Sequence, residues 1–201
     1  MFCLRAATDS AWASEAVKDL DAFLVDHAHC EMKAATNALS LVVRHSNNHE
    51  IVRALTTIAQ EELLHFQRVV DLLEARGIPL GPPAVDDYAG QLRRAMNTLP
   101  KTDFPLVADR LLVGALIEAR SCERFKLLLR ALPAEMVVER AFYEELFAAE
   151  ARHYREYIDL AIVAAGTHAS EVEARLALLA EAEGRIVQGL AARETRGTVH
   201  G

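Results

Sequence analysis

The chain carries its apolar residues at three- and four-residue steps over four long stretches. Such spacing places them on one face of an α-helix, which repeats every 3.6 residues. The pattern predicts long helices at about 18–45, 48–76, 106–132 and 133–165. Further helices are expected at about 11–20, 86–97 and 170–192. No stretch shows the strict alternation of apolar and polar residues that marks a strand, so the sequence predicts an all-α fold.

Turn-forming residues divide the long helices into two hairpins. Ser46-Asn47-Asn48 separates the first two helices, and Pro133 is expected at the first position of the fourth. The long segment between the hairpins is typical of the crossover connection in ferritin-like four-helix bundles. We therefore expect one ferritin-like domain over residues 1–201, with its core at about 17–165 and extra flanking helices, one of them at 170–192. The polar tail after Arg193 is expected to fray.

Composition agrees with a helical globular protein and limits its partners. Hydrophobic residues make up 52% of the 201 residues and aromatic residues only 6%, and the net charge is −7. That charge argues against nonspecific binding of nucleic acid by the whole surface but leaves room for a local basic patch. Three cysteines without a Cys-x-x-Cys pair argue against a zinc ribbon or a rubredoxin-like centre. The first residues show neither a signal peptide nor a membrane span, so we expect a cytoplasmic protein with no membrane partner.

Two short motifs stand at matching places in the two hairpins. The second helix carries Glu62-Leu63-Leu64-His65, and the fourth carries Glu150-Ala151-Arg152-His153. A Glu three residues before a His lies on the same helix face, so the pair can hold one metal ion. With 19 Glu and 8 His in the chain, chance alone supplies about 0.8 such matches. The argument for a metal site therefore depends on the matching positions rather than on the motif itself.

Helix geometry locates two further carboxylates. Residues equally far from the turn of an antiparallel hairpin meet at the same height. Glu62 lies about 15 residues, or about 22 Å, beyond the first turn, and the equivalent position in the first helix is occupied by Glu31. The equivalent partner of Glu150 in the third helix is Glu118, whereas Glu123 lies roughly 7 Å too close to the turn. One Glu from each of these helices completes the ligand set of a two-metal carboxylate site.

The sequence thus predicts six metal ligands, which are Glu31, Glu62, His65, Glu118, Glu150 and His153. A carboxylate on an apolar helix is costly to bury unless it is paired or bound to a metal. Carboxylate and imidazole ligands favour iron, and manganese remains open.

Other polar residues near the predicted site are expected in supporting roles. Asp26 and Glu123 are expected to orient the ligating imidazoles. His27 and His29 are placed at no ligand step from Glu31, so they are expected at the surface or in helix packing.

Four stretches around these ligands, together with Arg76-Gly77-Ile78-Pro79, resemble one known family. The stretches are 26–35, 61–66, 117–125 and 150–154. In combination they resemble the tRNA hydroxylases that act on 2-methylthio-N6-isopentenyladenosine beside the anticodon. The resemblance spans roughly residues 15–165, and the six Glu and His positions match the family's motifs one for one. The segment joining the first two helices is shorter here than in the longer members of that family.

The resemblance implies a fold, a cofactor and a reaction. The fold would be ferritin-like, and the cofactor would be a nonheme centre of two iron ions that uses O2 as co-substrate. The reaction would be hydroxylation of the isopentenyl side chain in tRNA, with electrons from an unidentified donor. A monomer or dimer is expected. Iron storage and peroxide or O2 reduction by another ferritin-like protein remain as alternatives, as does a metal-free helical binding module.

Binding of tRNA requires positive charge near the site. Candidate phosphate contacts are Arg120 and Arg124 on the third long helix and Arg152 and Arg155 on the fourth. The connection between the hairpins supplies further cations, which are Arg93, Arg94 and Lys101.

Overall fold

A computed structural model describes residues 3–83, 87–100, 103–166, 168–191 and 198–199. Over these residues the chain forms seven α-helices and no strand. In chain order the helices are α1 (Trp12–Lys18), α2 (Leu20–Arg44), α3 (His49–Ala75), α4 (Asp87–Thr98), α5 (Leu106–Ala131), α6 (Val137–Ala165) and α7 (Ala169–Ala191). Helix α2 packs along α3, and α5 packs along α6. The predicted pair of hairpins and the all-α, ferritin-like class are therefore confirmed.

Local signals set the ends of the first hairpin. The side chain of Asn48 accepts hydrogen bonds from the amides of Glu50 and Ile51, both at 3.1 Å, and so caps the start of α3. Gly77 takes a positive φ of 71° after the end of α3, and the amide of Ile78 bonds back to the carbonyl of Leu73 at 2.9 Å. This six-residue closure satisfies a terminal carbonyl that would otherwise lack a partner.

The start of the fourth long helix differs from the prediction. Pro133 does not occupy its first position, because residues 133–136 form a turn closed by a bond from the Met136 amide to the Pro133 carbonyl at 3.2 Å. Helix α6 begins only at Val137. Proline suits the first position of a helix but equally suits a turn, and the sequence does not distinguish the two.

The apolar core is divided by the predicted ligands. Each of the four long helices contributes to one buried apolar cluster near one end and to a second cluster near the other. In α3, for example, Ile58 belongs to the first cluster and Val69 to the second, with Glu62 and His65 between them. The ligand positions of α2, α5 and α6 are likewise between the two clusters. The bundle therefore holds one polar layer between two apolar halves.

The remaining helices pack around the bundle. Helix α4 lies in the connection between the hairpins, and α7 packs on α4, α5 and α6. This arrangement confirms the long crossover and the flanking C-terminal helix. Across the described ranges, no helix combines the length and apolarity needed to cross a bilayer.

Candidate metal centre

The structure brings all six predicted ligands together in the polar layer. One group joins Glu31, Glu62, His65 and Glu150, and a second joins Glu62, Glu118, Glu150 and His153. Within each group, one ligand atom from every residue lies within 4.8 Å of the others. Because Glu62 and Glu150 belong to both groups, the arrangement has two adjacent positions joined by two shared carboxylates. All six side chains are buried.

The two imidazoles face the carboxylates with the same ring nitrogen. Nδ1 of His65 lies 3.5 Å from Glu31, 3.6 Å from Glu62 and 3.7 Å from Glu150. Nδ1 of His153 lies 2.9 Å from Glu62 and 3.3 Å from Glu150. Ligands about 2.1 Å from one metal ion lie roughly 3.0–3.5 Å from each other. The spacing of these atoms therefore suits a shared ion.

A residue that the sequence analysis did not single out fixes the protonation of His153. Glu61 Oε2 lies 2.8 Å from Nε2 of His153 and 3.0 Å from a guanidinium nitrogen of Arg152. A carboxylate only accepts hydrogen bonds, so Nε2 carries a proton, and the ring in its neutral form has its lone pair at Nδ1. That lone pair points at oxygen atoms of Glu62 and Glu150, which are also acceptors. Glu61 directly precedes a predicted ligand, and this adjacency was the signal available in the sequence.

The electrostatics of the layer demand positive charge. Burial and the charges of Glu150 and Glu62 raise the pKa of Glu118 well above its ordinary range. Burial lowers the pKa of His153, but bonds and charge from Glu150 and Glu62 outweigh it and raise that pKa to about 12. For His65, burial lowers the pKa and the neighbouring carboxylates raise it to about 10. The layer therefore attracts cations, either protons or metal ions, to the two imidazole nitrogens.

The donor set fits a pair of divalent metal ions. Four buried atoms have no hydrogen-bond partner within the described residues, namely Glu62 Oε1, His65 Nδ1, Glu150 Oε2 and His153 Nδ1. Unpaired buried polar atoms are costly, and all four belong to the two groups. The four carboxylates carry four negative charges, which two divalent cations would cancel while both imidazoles stayed neutral. The cluster is therefore suited to a metal site of carboxylate and imidazole ligands.

His27 lies in helix packing, one of its two expected places, against Phe125 of α5 and Tyr143 of α6, and it also contacts a predicted ligand. It lies four residues before Glu31 on α2, is buried, and contacts Glu31 through Nε2 at 2.6 Å. Its Nδ1 lies 2.9 Å from the hydroxyl of Tyr143. His27 belongs to neither group of ligand atoms, but its four-residue step places it on the same helix face as Glu31, where it supports that ligand. His29 is partly exposed, and its Nε2 lies 3.2 Å from the Gly81 carbonyl.

The two residues expected to orient the imidazoles have other partners. Glu123 accepts hydrogen bonds from the backbone amide and hydroxyl of Thr8, at 3.1 and 2.7 Å, and pairs with Arg120. Asp26 accepts a 2.7 Å bond from the Val199 amide. For His153 the expected role belongs instead to Glu61.

Arg120 and Arg124 cannot serve as the expected phosphate contacts in this structure. Arg120 is fully buried, and Glu183 accepts two bonds from it at 2.8 and 2.9 Å. Arg124 is buried over the ring of Trp12 and donates to the Val199 carbonyl. The sequence showed two arginines on one helix face but not the helix α7 and the chain termini that cover that face. Arg152 and Arg155 are exposed, and their contact with tRNA stays a prediction.

A cavity of about 520 Å³ reaches the polar layer between α2, α4, α5 and α6. Glu118, Ile117, Gly114 and Tyr157 are among the residues that form its wall. Four cationic side chains also line it, which are Lys33, Arg44, Arg93 and Arg110. Arg93 is the one cation of the connection that lines the cavity, and Lys101 lies outside the described residues. The cavity therefore joins an apolar, carboxylate-ended interior to positive charge.

One solved structure is similar to this chain over its whole length. A structure described as protein 43 with aldehyde deformylating oxygenase activity from Synechococcus superposes with a TM-score of 0.86 at 33% identity. The match covers 100% of this chain and 96% of that one.

Two curated relatives carry the same name, tRNA 2-(methylsulfanyl)-N(6)-isopentenyladenosine(37) hydroxylase. The protein from Pseudomonas putida is 41% identical over 159 residues, which cover 79% of this chain and 74% of the relative. The protein from Salmonella typhimurium is 29% identical over 246 aligned positions, which cover 94% of this chain and 88% of the relative. A family profile described as tRNA-(MS2IO6A)-hydroxylase (MiaE) matches residues 1–196. The six-residue cluster thus occurs in a chain that belongs to the tRNA-(MS2IO6A)-hydroxylase (MiaE) family.

Proposed function

We propose that this protein hydroxylates the isopentenyl side chain of 2-methylthio-N6-isopentenyladenosine in tRNA. The observation that carries the proposal is the cavity, which has Glu118 in its wall and basic side chains around it. A prenylated nucleotide has matching parts, because its five-carbon side chain is apolar and its phosphates are negative. The family name and the names of the relatives give the same substrate.

The six ligands would hold two iron ions. Each hairpin supplies three of these ligands. Bound iron would supply the reduction of O2 that places an oxygen atom in an unactivated C–H bond. In this reaction the C–H group, O2, two electrons and two protons give the alcohol and water. The two electrons require a separate reductant, which is the unidentified electron donor.

The chain's own residues have three tasks in this proposal. Glu61 keeps the proton of His153 on Nε2, so that Nδ1 remains available as a ligand. Ile117, Val113 and Gly114 give the cavity apolar walls beside Glu118, which excludes water from the reacting carbon. The surrounding arginines would bind phosphates and leave the splayed base to enter the cavity.

The proposal is tested by nucleoside mass spectrometry. We expect iron-loaded protein, reductant and O2 to convert the isopentenyl nucleoside of tRNA into its hydroxylated form, and the Glu118→Ala variant to leave it unchanged. An aldehyde serves as a second substrate, because the similar Synechococcus structure is named for aldehyde deformylation. No hydroxylated nucleoside, or turnover of the aldehyde alone, would contradict the proposal.

Location and assembly remain proposals as well. We place the protein in the cytoplasm because its proposed substrate is there, and we propose one domain over residues 1–201 and a monomer or dimer. Size-exclusion chromatography with light scattering would test the assembly, and a cage of many subunits would favour iron storage instead.

A further inference from the structure

The two halves of the polar layer are supported differently at their imidazoles. Glu61 precedes Glu62 on α3 and reaches across to His153 of α6 at 2.8 Å. By the pseudo-symmetry of the two Glu-x-x-His motifs, the matching position on α6 is the residue before Glu150. That residue is Ala149, which has no polar side chain to offer His65.

The contacts of His65 agree with this difference. Among the described residues, the carboxylates within 4.0 Å of His65 are those of Glu31, Glu62 and Glu150, all members of the proposed centre. His153 has the corresponding contacts with Glu62 and Glu150 and, in addition, the carboxylate of Glu61 outside the centre. Only one of the two imidazoles therefore has its far nitrogen held by an acid.

The carboxylate ligands of the two halves also differ in their hydrogen bonds to residues outside the centre. Glu31 has one oxygen occupied, because Nε2 of His27 donates to Oε1 at 2.6 Å. A donated hydrogen bond withdraws negative charge from a carboxylate, whereas a carboxylate bound to an imidazole N–H increases the electron density on the opposite nitrogen. The position of Glu118 and His153 is thereby the one whose imidazole is supported by an acid outside the centre.

We propose that Glu61 is a positioning residue for His153, and that the two metal positions are consequently unequal, with the tighter one at His153 and Glu118. This inference rests on the proposed metal centre. Glu61 belongs to neither group of ligand atoms, and it acts by fixing the tautomer and ring orientation of His153. Arg152 lies at 3.0 Å from the same Glu61 oxygen and holds that oxygen in place.

The test is an anaerobic titration of the metal-free full chain with Fe²⁺ against a competing chelator. The wild type should take up two ions in two steps of different affinity. Glu31→Ala should remove the weaker step, which would assign that step to the position of Glu31 and His65. Glu61→Ala and Glu61→Gln should weaken the tighter step by about 10- to 100-fold and leave the other within about threefold. Arg152→Gln, which leaves the Glu61–His153 bond possible, should change the tighter step by less than Glu61→Ala does.

A matched control exists on the same pair of helices. Arg68 and Glu145 form an exposed ion pair between α3 and α6 at 2.7 Å, like Arg152 and Glu61, but contact neither imidazole. Glu145→Gln should leave both binding steps unchanged. Equal weakening of both steps in Glu61→Ala, wild-type affinities in that variant, or the same loss in Glu145→Gln would overturn the inference. A wild-type chain that binds no iron would overturn the metal centre itself, which is a separate result.

Discussion

The ring of Tyr157 lies directly against Gly114, where α6 crosses α5 beside the cavity. A Cβ atom built on Gly114 would sit 2.9 Å from Cε1 of Tyr157, closer than packed carbon atoms approach. Tyr157 is buried, so its ring cannot simply turn into solvent.

We therefore expect Gly114→Ala to push the two helices apart or displace the ring. The substitution should lower the free energy of unfolding by about 1–3 kcal/mol despite alanine's better helix propensity. Gly189→Ala is the control, since nothing lies within 4 Å of a Cβ there, and it should be neutral or stabilising by up to about 1 kcal/mol. Urea denaturation of both variants measures the difference, and equal stabilities would contradict the packing argument.

The choice of Glu118 over Glu123 as a ligand is open to a direct test. Glu118→Ala should reduce bound metal, because it removes an oxygen donor from the group that contains His153. Glu123→Ala should keep the metal but lower the melting temperature, since it removes one partner of the buried Arg120. Metal analysis per chain together with thermal unfolding separates the two effects. Loss of metal from the Glu123 variant alone would reverse the assignment.

The carboxylate of Glu118 should lower the stability of the metal-free protein at neutral pH. Burial and the charges of Glu150 and Glu62 raise the pKa of Glu118, so the folded state binds its proton more tightly than the unfolded state. A raised carboxyl pKa means that stability falls as pH rises from the ordinary value of about 4.3 towards the folded value. Glu118→Gln should therefore stabilise the metal-free protein at pH 7, and this gain should shrink as pH is lowered towards 4.

Thermal unfolding in the presence of a chelator, measured between pH 4 and pH 8, checks the pH dependence. Glu145, which forms an exposed ion pair with Arg68, supplies the control, because Glu145→Gln should give no comparable change in stability. A gain in Glu118→Gln that grew at low pH would contradict the sign of the shift.

Mutations can distinguish the tRNA surface proposed around the cavity from the surface of α6 that was expected from the sequence. Neutralising Arg44 and Arg93 together should weaken tRNA binding by about tenfold. It should also make the slope of log binding constant against log salt concentration less steep by about 1.5. Arg155 lies about 200° around α6 from the cavity residue Tyr157, so Arg155→Gln should have little effect. Fluorescence anisotropy at several salt concentrations measures both. A larger loss in Arg155→Gln would favour the sequence-based expectation.

The last described residues are docked, which makes a truncation informative. The carbonyl of Thr198 accepts a 2.9 Å hydrogen bond from the indole of Trp12. Val199 is buried, its amide donates to Asp26, and its carbonyl accepts from Arg124. Ending the chain at residue 197 removes one hydrogen-bond partner from each of two buried charges and should cost about 1.5–3 kcal/mol for each lost bond. Trp12 is the chain's only tryptophan, so its fluorescence reports the change, with a chain lacking only Gly201 as control.

The sequence predicted the framework because local rules determine it. Apolar steps of three and four residues located the four long helices of the bundle, and distances along these helices from the turns led to Glu31 and Glu118. The errors arose where distant parts of the chain meet. Arg124 looked like a surface arginine because nothing local shows that Val199, 75 residues later, covers it. The frayed tail was a wrong expectation at Val199 for the same reason.

Within the site, periodicity predicted the side chains that converge but not those that support them. Glu61 and His27 each bond to a predicted ligand, yet one contact spans two hairpins and the other depends on the rotamer of a single ring. A helical period specifies which face a residue occupies, whereas such contacts depend on how two faces are set against each other.

The division of the six ligands between the hairpins has a consequence for synthesis of the protein. Residues 31–65 contribute one half of the cluster and residues 118–153 the other, so neither hairpin alone presents a full set of donors to an ion. A nascent chain whose first hairpin has emerged from the ribosome then presents only three of the six donors, too few for the complete metal site. Metal uptake then has to follow docking of the second hairpin, and the loaded ions would join two halves that were made at different times.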